Sequence, residues 1–389
     1  MIHYEPILPS STKSKESIVR ADKWLKECLE KHEGCKSAFP KSTFVPSRLI
    51  EIRGPDINNP GIRLQEKSSL PSTVSYATLS HCWGSSMPFK LTLQNLDECK
   101  GNIPLRSLTK VFQDAIGFAL HSGILYIWID SLCIIQDSSK DWAFESSTMG
   151  DIYHRSILNI AATGFANGVN GLFVERDPNL LIPIALDKDT RYKQANKGNY
   201  YLVDAYVWKE GIDESPLCKR GWVAQERALS VRTLHFGKEQ LFWECMCRNA
   251  SEVFPKGIQR GTMMQDPKRE LEELGIGLEV DRLSVRTIRG MTLEQQQWLP
   301  VIEIYTQCAL TFAKDKLVAI SGMARELSKD MKCEYLAGLW RRDLEHQLLW
   351  KAKKAHPATR KEDMRGPSWS WASVDGRIEI PDWSGYFYQ

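Results

Sequence analysis

Residues 125–162, LYIWIDSLCIIQDSSKDWAFESSTMGDIYHRSILNIAA, restrict the fold more than any other part of this chain. The run 124–129 is uninterrupted apolar sequence rich in β-branched and aromatic residues, which suits a strand covered on both faces, as in a parallel sheet. It stops at Asp130. Ser131, Cys133, Gln136 and Asp137 follow closely, and open α/β sheets hold their ligands at this carboxyl end of the strands. Residues 138–141 have the form of a capping box. Projected at about 100° per residue, Trp142, Glu145, Met149, Ile152 and Tyr153 share one arc, with a second strand after them. Glu145 is therefore an acid inside an apolar stripe, and Trp142 stands beside it.

The flanking segments extend the pattern. Residues 76–80 read as a short strand running into His81, Cys82, Trp83 and Gly84. Neighbours on a strand face opposite ways, so His81 and Cys82 are poorly placed to serve each other. His81 has two readings, an acid–base partner of Asp130 or a satisfied structural histidine. Leu108, Val111, Phe112, Ala115, Ile116, Ala119 and Leu120 mark a helix that Gly123 ends. Strand, helix, strand, helix, strand predicts an α/β fold with right-handed crossovers and a mainly parallel sheet. Residues 80–84 and 130–136 then converge at one edge, where Ser80, Trp83, Cys133 and Gln136 are candidate lining residues.

Residues 220–247 predict a short helix at 221–228 and a β-hairpin of 233–236 with 240–244. Within them, Gln225 and Glu226 have two readings. They line a site, or Arg220, Glu226, Arg232 and Glu244 form buried ion pairs that fix packing. Cys28, His32 and Cys35 share a helix face and are ligand types that suit zinc. No fourth ligand stands at a recognisable spacing, and Cys245 and Cys247 are too close together for a zinc ribbon. A buried helix end is the preferred reading and no metal is assigned. Residues 47–52 read as an edge strand, 254–297 as a charged insert, 335–350 as a helix, and 367–376 as a strand bearing Trp369 and Trp371. The predicted organisation is an N-terminal helix and extension (1–70), a core (71–255), an insert (256–297) and a C-terminal α+β region packing on the core (298–389).

Composition narrows the function classes. The 389 residues are 42% hydrophobic and 25% charged, the profile of an ordinary globular protein. A net charge of +3, not gathered into a basic block, gives no reason to expect nucleic acid. The longest apolar run is far below the roughly 20 residues of a membrane span. Ten cysteines without a disulfide-like framework suit a reducing compartment, and the expected location is cytoplasmic. The glycines of 163–173 lack a Walker lysine, so no nucleotide cofactor is read from them.

Several of these patches together resemble the fungal heterokaryon-incompatibility (HET) domain family: YATLSHCWG (76–84), YIWIDSLCIIQDSSKDWAFESSTMGDIYHRSILNIAAT (126–163), and RGWVAQERALSVRTLHF with FWEC (220–245). YLAGLW (335–340) and PSWSWASVDG (367–376) are similar to the downstream region common in such proteins. The resemblance implies non-self recognition and programmed cell death on fusion of fungal hyphae. It also implies a remote likeness to TIR domains, some of which cleave NAD with a glutamate on a helix near the sheet's carboxyl edge, shortly after a tryptophan. Trp142 and Glu145 are the candidates for that pair, although their spacing differs by one residue from the common TIR form. On this reading NAD is a substrate, no cofactor is needed, Glu145 acts with His81 and Asp130, and Trp83 or Trp142 stacks on a base. Two other functions stand beside it: a non-catalytic signalling module that forms homo-oligomers, and a stand-alone enzyme on a small metabolite using His81, Asp130, Cys133 or Glu226.

Overall fold

The strands that bring the carboxyl-edge residues together are, along the chain, β1 (Arg48–Arg53), β2 (Gly61–Glu66), β3 (Ala77–Ser80), β4 (Tyr126–Trp128), β5 (Leu158–Ala161), β6 (Ile184–Leu186), β7 (Tyr200–Leu202), β8 (Arg232–Phe236), β9 (Leu241–Cys245) and β10 (Arg248–Ser251). A computed structural model describes residues 4–5, 7–39, 43–84, 88–186, 200–258, 293–331, 333–342, 344–353, 359–360 and 366–379. All but β6 and β7 join one sheet of eight strands in the order β10-β9-β8-β5-β3-β4-β1-β2. The pairs β3–β4, β3–β5 and β5–β8 are parallel. The parallel centre therefore runs β4-β3-β5-β8, second strand, first, third, fourth. That order reverses direction of winding between β3 and β5, where open α/β sheets leave a crevice. Antiparallel strands extend both sides: β1 and β2 beyond β4, β9 and β10 beyond β8.

The helices are α1 (Lys15–Lys31), α2 (Glu33–Ala38), α3 (Leu96–Gly101), α4 (Lys110–His121), α5 (Asp130–Cys133), α6 (Ser139–His154), α7 (Gly221–Leu229), α8 (Leu293–Tyr305) and α9 (Ser321–Met331). Ser138 caps α6 by accepting from Asp141 N at 3.3 Å. Only half of the anticipated box forms, because the Asp141 carboxylate accepts from Ile135 N and pairs with Arg48 instead. The apolar stripe of α6 is as the periodicity requires, with Met149, Ile152, Tyr153 and also Glu145 buried. None of the described helices is long and apolar enough to cross a membrane.

Three local expectations are corrected. Residues 47–52 do not make an edge strand, because β2 pairs along the whole outer side of β1. The segment after Ile129 forms one helical turn, α5, with Ile134 N bonded to Asp130 O. Residues 335–350 are a hairpin, Tyr335–Leu336 with Leu339–Trp340, followed by the short helix Leu344–Gln347. Ala337 and Gly338 both take positive φ, 46° and 101°, which no helix accommodates. Residues 367–376 do not place Trp369 and Trp371 in strand alternation, because Ser370 caps a 3-10 turn, Trp371–Ser373. Trp371 is buried there and Trp369 is 42% exposed. Residues 259–292 of the charged insert lie outside the described residues, as do residues 187–199.

The C-terminal region shares a core with α7. Trp298, Tyr305, Trp340 and Trp371 pack in one cluster with Ala228 and Leu229. The Gly338 carbonyl accepts from both Trp298 Nε1 and Trp371 Nε1, at 2.8 and 2.9 Å.

Candidate functional site

At the carboxyl end of β3, period-two alternation sends Ser80 and His81 to opposite faces of the sheet. Ser80 meets α7, with its Oγ 2.5 Å from Glu226 Oε2 and 3.2 Å from Asn159 Oδ1 of β5. Asn159 also accepts from Thr78 Oγ1 at 3.1 Å. His81 meets α4, its ring edge-on to Phe112 at 4.8 Å between centroids. Its Nδ1 is 3.8 Å from Asp130 Oδ1, beyond a direct hydrogen bond. Trp83 Nε1 donates to Asp130 Oδ2 at 2.8 Å. Arg220, just before α7, donates to the His81 carbonyl. Tyr153 OH donates to Leu79 O at 3.3 Å and lies against Ser80 and Glu226. Ser80, Tyr153 and Glu226 form a buried floor on one face, His81 is buried on the other, and Asp130, Trp83 and Arg220 are half-buried around the strand end.

Burial governs the electrostatics of these groups. Desolvation pushes the Glu226 carboxyl up to about 7; the Ser80 hydroxyl and Arg220 oppose the rise, and Asp130 adds to it. Such a group exchanges its proton near neutrality, as a general acid or base must. When protonated, Glu226 donates to Ser80, freeing the single Ser80 proton for Asn159; when ionised, it receives that proton's hydrogen bond. Burial lowers His81 below its ordinary value, against the field of Asp130, so its imidazole is neutral at pH 7.

The raised Glu226 pKa has a stability consequence with a definite sign. The folded carboxyl binds its proton more tightly than the unfolded one, whose value is 4.5. Its contribution is fully present below that value and is lost as pH rises through about 7. Urea unfolding midpoints of the wild type are expected to fall between pH 5 and pH 8 by more than those of Glu226→Gln. Equal declines in the two proteins would refute the assignment.

Other candidates sit elsewhere. Glu145 is buried in a second cluster with β1: Arg48 Nη2 is 3.5 Å from Glu145 Oε1, pairs with Asp141, and its Nε donates to Cys133 O at 2.8 Å. Burial raises the Glu145 pKa, with Ser47 and Arg48 opposing. Cys133 is fully buried and its thiol is pushed up to about 12, which leaves almost no thiolate for nucleophilic attack. Gln136 Nε2 ties the turn together by donating to Asp130 O and Ile134 O. Trp142 packs edge-on to Trp222 of α7 at 6.3 Å. Gln225 points away from Ser80, and its Oε1 accepts from Gly322 N at 2.6 Å to dock α9.

The buried pairs differ from those anticipated. Arg227 holds Glu244 through three contacts of 2.9–3.0 Å, His235 Nε2 lies 3.0 Å from the same carboxylate, and Arg232 turns to the other face. Asn159 and Tyr153 were not singled out for the site. An asparagine within a fully buried strand, LNIA, is the signal that could have marked it. Residues 76–226, which contain every residue of this floor and of the strand end around it, match the family model described as heterokaryon incompatibility protein (HET). No curated protein and no solved structure matches the chain.

Proposed function

We propose, on the premise that residues 76–226 form a heterokaryon incompatibility (HET) domain, that this protein acts in fungal non-self recognition and programmed cell death by cleaving NAD in the cytoplasm. The observation that carries this reading is Glu226, a buried carboxyl raised to about 7 at the carboxyl ends of β3 and β5, the switch point of the sheet. Trp222 precedes it by one helical turn, four residues earlier, one more than separate Trp142 from Glu145. Glu226 thus replaces Glu145 as the candidate for the TIR-type glutamate, and Glu145 is assigned a packing role with Arg48.

In the proposed reaction the bond between ribose C1′ and the nicotinamide nitrogen breaks, and its electron pair neutralises the pyridinium. The Glu226 carboxylate stabilises the cationic ribosyl centre, water adds at C1′, and the surplus proton leaves to solvent. Asp130 offers negative charge toward the pyridinium, Arg220 positive charge toward the diphosphate, and Trp83 a ring for stacking. The purified chain is expected to release nicotinamide from NAD, with kcat/KM rising as pH passes about 7. Glu226→Gln is expected to lower turnover roughly a hundredfold, whereas Trp142→Phe leaves it nearly unchanged. Absence of nicotinamide release from folded wild-type protein, or full turnover in Glu226→Gln, would exclude this mechanism. Concentration-dependent self-association without NAD consumption would point to the signalling module.

A further inference from the structure

Helix α1 ends at His32, whose extended φ and ψ of −91° and 94° separate it from α2. This break turns the last helical face of α1 and the first turn of α2 toward the same point. Cys28, His32 and Cys35 gather there against the end of β9, where they meet Cys245. One ligand atom from each of the four lies within 4.8 Å of all the others. His32 Nδ1 is 3.5 Å from Cys245 Sγ and 4.0 Å from Cys35 Sγ. A tetrahedral zinc centre, with bonds of about 2.3 Å to sulfur and 2.0–2.1 Å to nitrogen, puts neighbouring ligand atoms roughly 3.5–3.8 Å apart. The three cysteines are buried and His32 half-buried, the closed environment of a structural site rather than an open catalytic one.

A second observation points to negative charge at this position. Arg232 is only 2% exposed, yet among the described residues no carboxylate stands within ion-pair distance of it. Its Nε lies 3.2 Å from Cys28 Sγ, and the guanidinium also stacks 5.6 Å from the Phe39 ring centre. A buried guanidinium is costly unless compensated. Three thiolates and a neutral imidazole around Zn2+ carry one net negative charge, which Arg232 neutralises.

We propose that Cys28, His32, Cys35 and Cys245 bind one structural zinc ion, with Arg232 as the outer partner of the Cys28 sulfur. Binding releases the three thiol protons to solvent and forms three zinc–sulfur bonds and one zinc–nitrogen bond, with no change of oxidation state. The site would pin the N-terminal helices to the antiparallel edge of the sheet. It is separate from the Ser80–Glu226 floor, so its fate does not depend on the NAD reading.

The test is elemental analysis of the full chain, produced and purified with zinc present. One zinc per chain is expected, and exchange with Co2+ should give a thiolate-to-cobalt charge-transfer band and the intense visible bands of tetrahedral cobalt. Cys28→Ser and Cys245→Ser should abolish stoichiometric metal, whereas Cys247→Ser, which alters an exposed neighbour, should keep it. Arg232→Met should weaken affinity roughly 10–100-fold. Chelation should lower the unfolding temperature of the wild type and of Glu226→Gln alike. Wild-type protein without metal that takes up no Co2+ overturns the proposal even if the cysteine variants fail to fold. Metal retained at full stoichiometry in Cys28→Ser and Cys245→Ser overturns it equally.

Discussion

Replacing Arg227 by methionine is expected to destabilise the protein by about 3–5 kcal/mol, read as a fall in the urea midpoint at unchanged slope. Arg227 is buried, and its guanidinium bonds both oxygens of Glu244 and, at 2.8 Å, Asp213 Oδ1. Its guanidinium carbon lies over the Trp208 ring, 5.9 Å from its centre. Glu244 is fully buried, with His235 Nε2 3.0 Å from the same carboxylate, so removing the guanidinium takes away a compensating charge that the interior cannot replace with water. The penalty comes from the cost of keeping a buried carboxylate without its guanidinium more than from the lost attraction. The double variant Arg227→Met with Glu244→Gln is therefore expected to be more stable than the single one. A loss below roughly 1 kcal/mol in Arg227→Met would place the pair among ordinary surface ion pairs and contradict its burial.

Gly338→Ala is expected to cost roughly 3–5 kcal/mol, combining a strained backbone with overpacking. At φ 101° an L side chain is poorly tolerated, and a Cβ there would lie 2.7 Å from two atoms of the Trp371 indole. Moving that ring also breaks its hydrogen bond to the Gly338 carbonyl, which holds Trp298 as well. Gly54 supplies the comparison, since it has φ 87° but no atom within 4 Å of an added Cβ. Gly54→Ala should cost only about 1–2 kcal/mol, the strain alone. If chemical denaturation finds the two variants equally destabilised, the tight contact with Trp371 contributes nothing.

Much of the sheet was legible because its information is local. Residues 76–162 alternate short apolar runs with a helical period, and that alternation alone leads to β3, β4 and β5 in a parallel centre. The hairpin of β8 and β9 was equally readable from its turn. What failed was pairing across the pleat. Arg232 stands opposite Cys245, and Thr233 opposite Glu244, so Arg232 and Glu244 face different sides and cannot pair. Glu244 is left to Arg227 and His235, and Arg232 to the cysteines. Composition marked Glu145 and Glu226 alike as acids among apolar neighbours; only position in the sheet separates one held by Arg48 from one held by Ser80. Cys245 was recognisable as a companion of Cys28, His32 and Cys35 only after more than two hundred intervening residues had folded back.

That distance sets an order of assembly during synthesis. Chains leave the ribosome from the amino end, and segments nearer that end are free to fold first. Helix α1 emerges early, yet its large anchor, Trp24, packs against Trp243 at 6.5 Å and donates from Nε1 to Pro255 O at 2.9 Å. The β1–β2 hairpin likewise has no sheet to join until Ile127 arrives opposite Ile50. Helix α1 is thus made well before the strand that seats it, and a nascent chain halted before β9 keeps it waiting. Protease sensitivity of residues 15–31 in chains arrested at successive lengths should persist until residues 241–255 have cleared the exit tunnel.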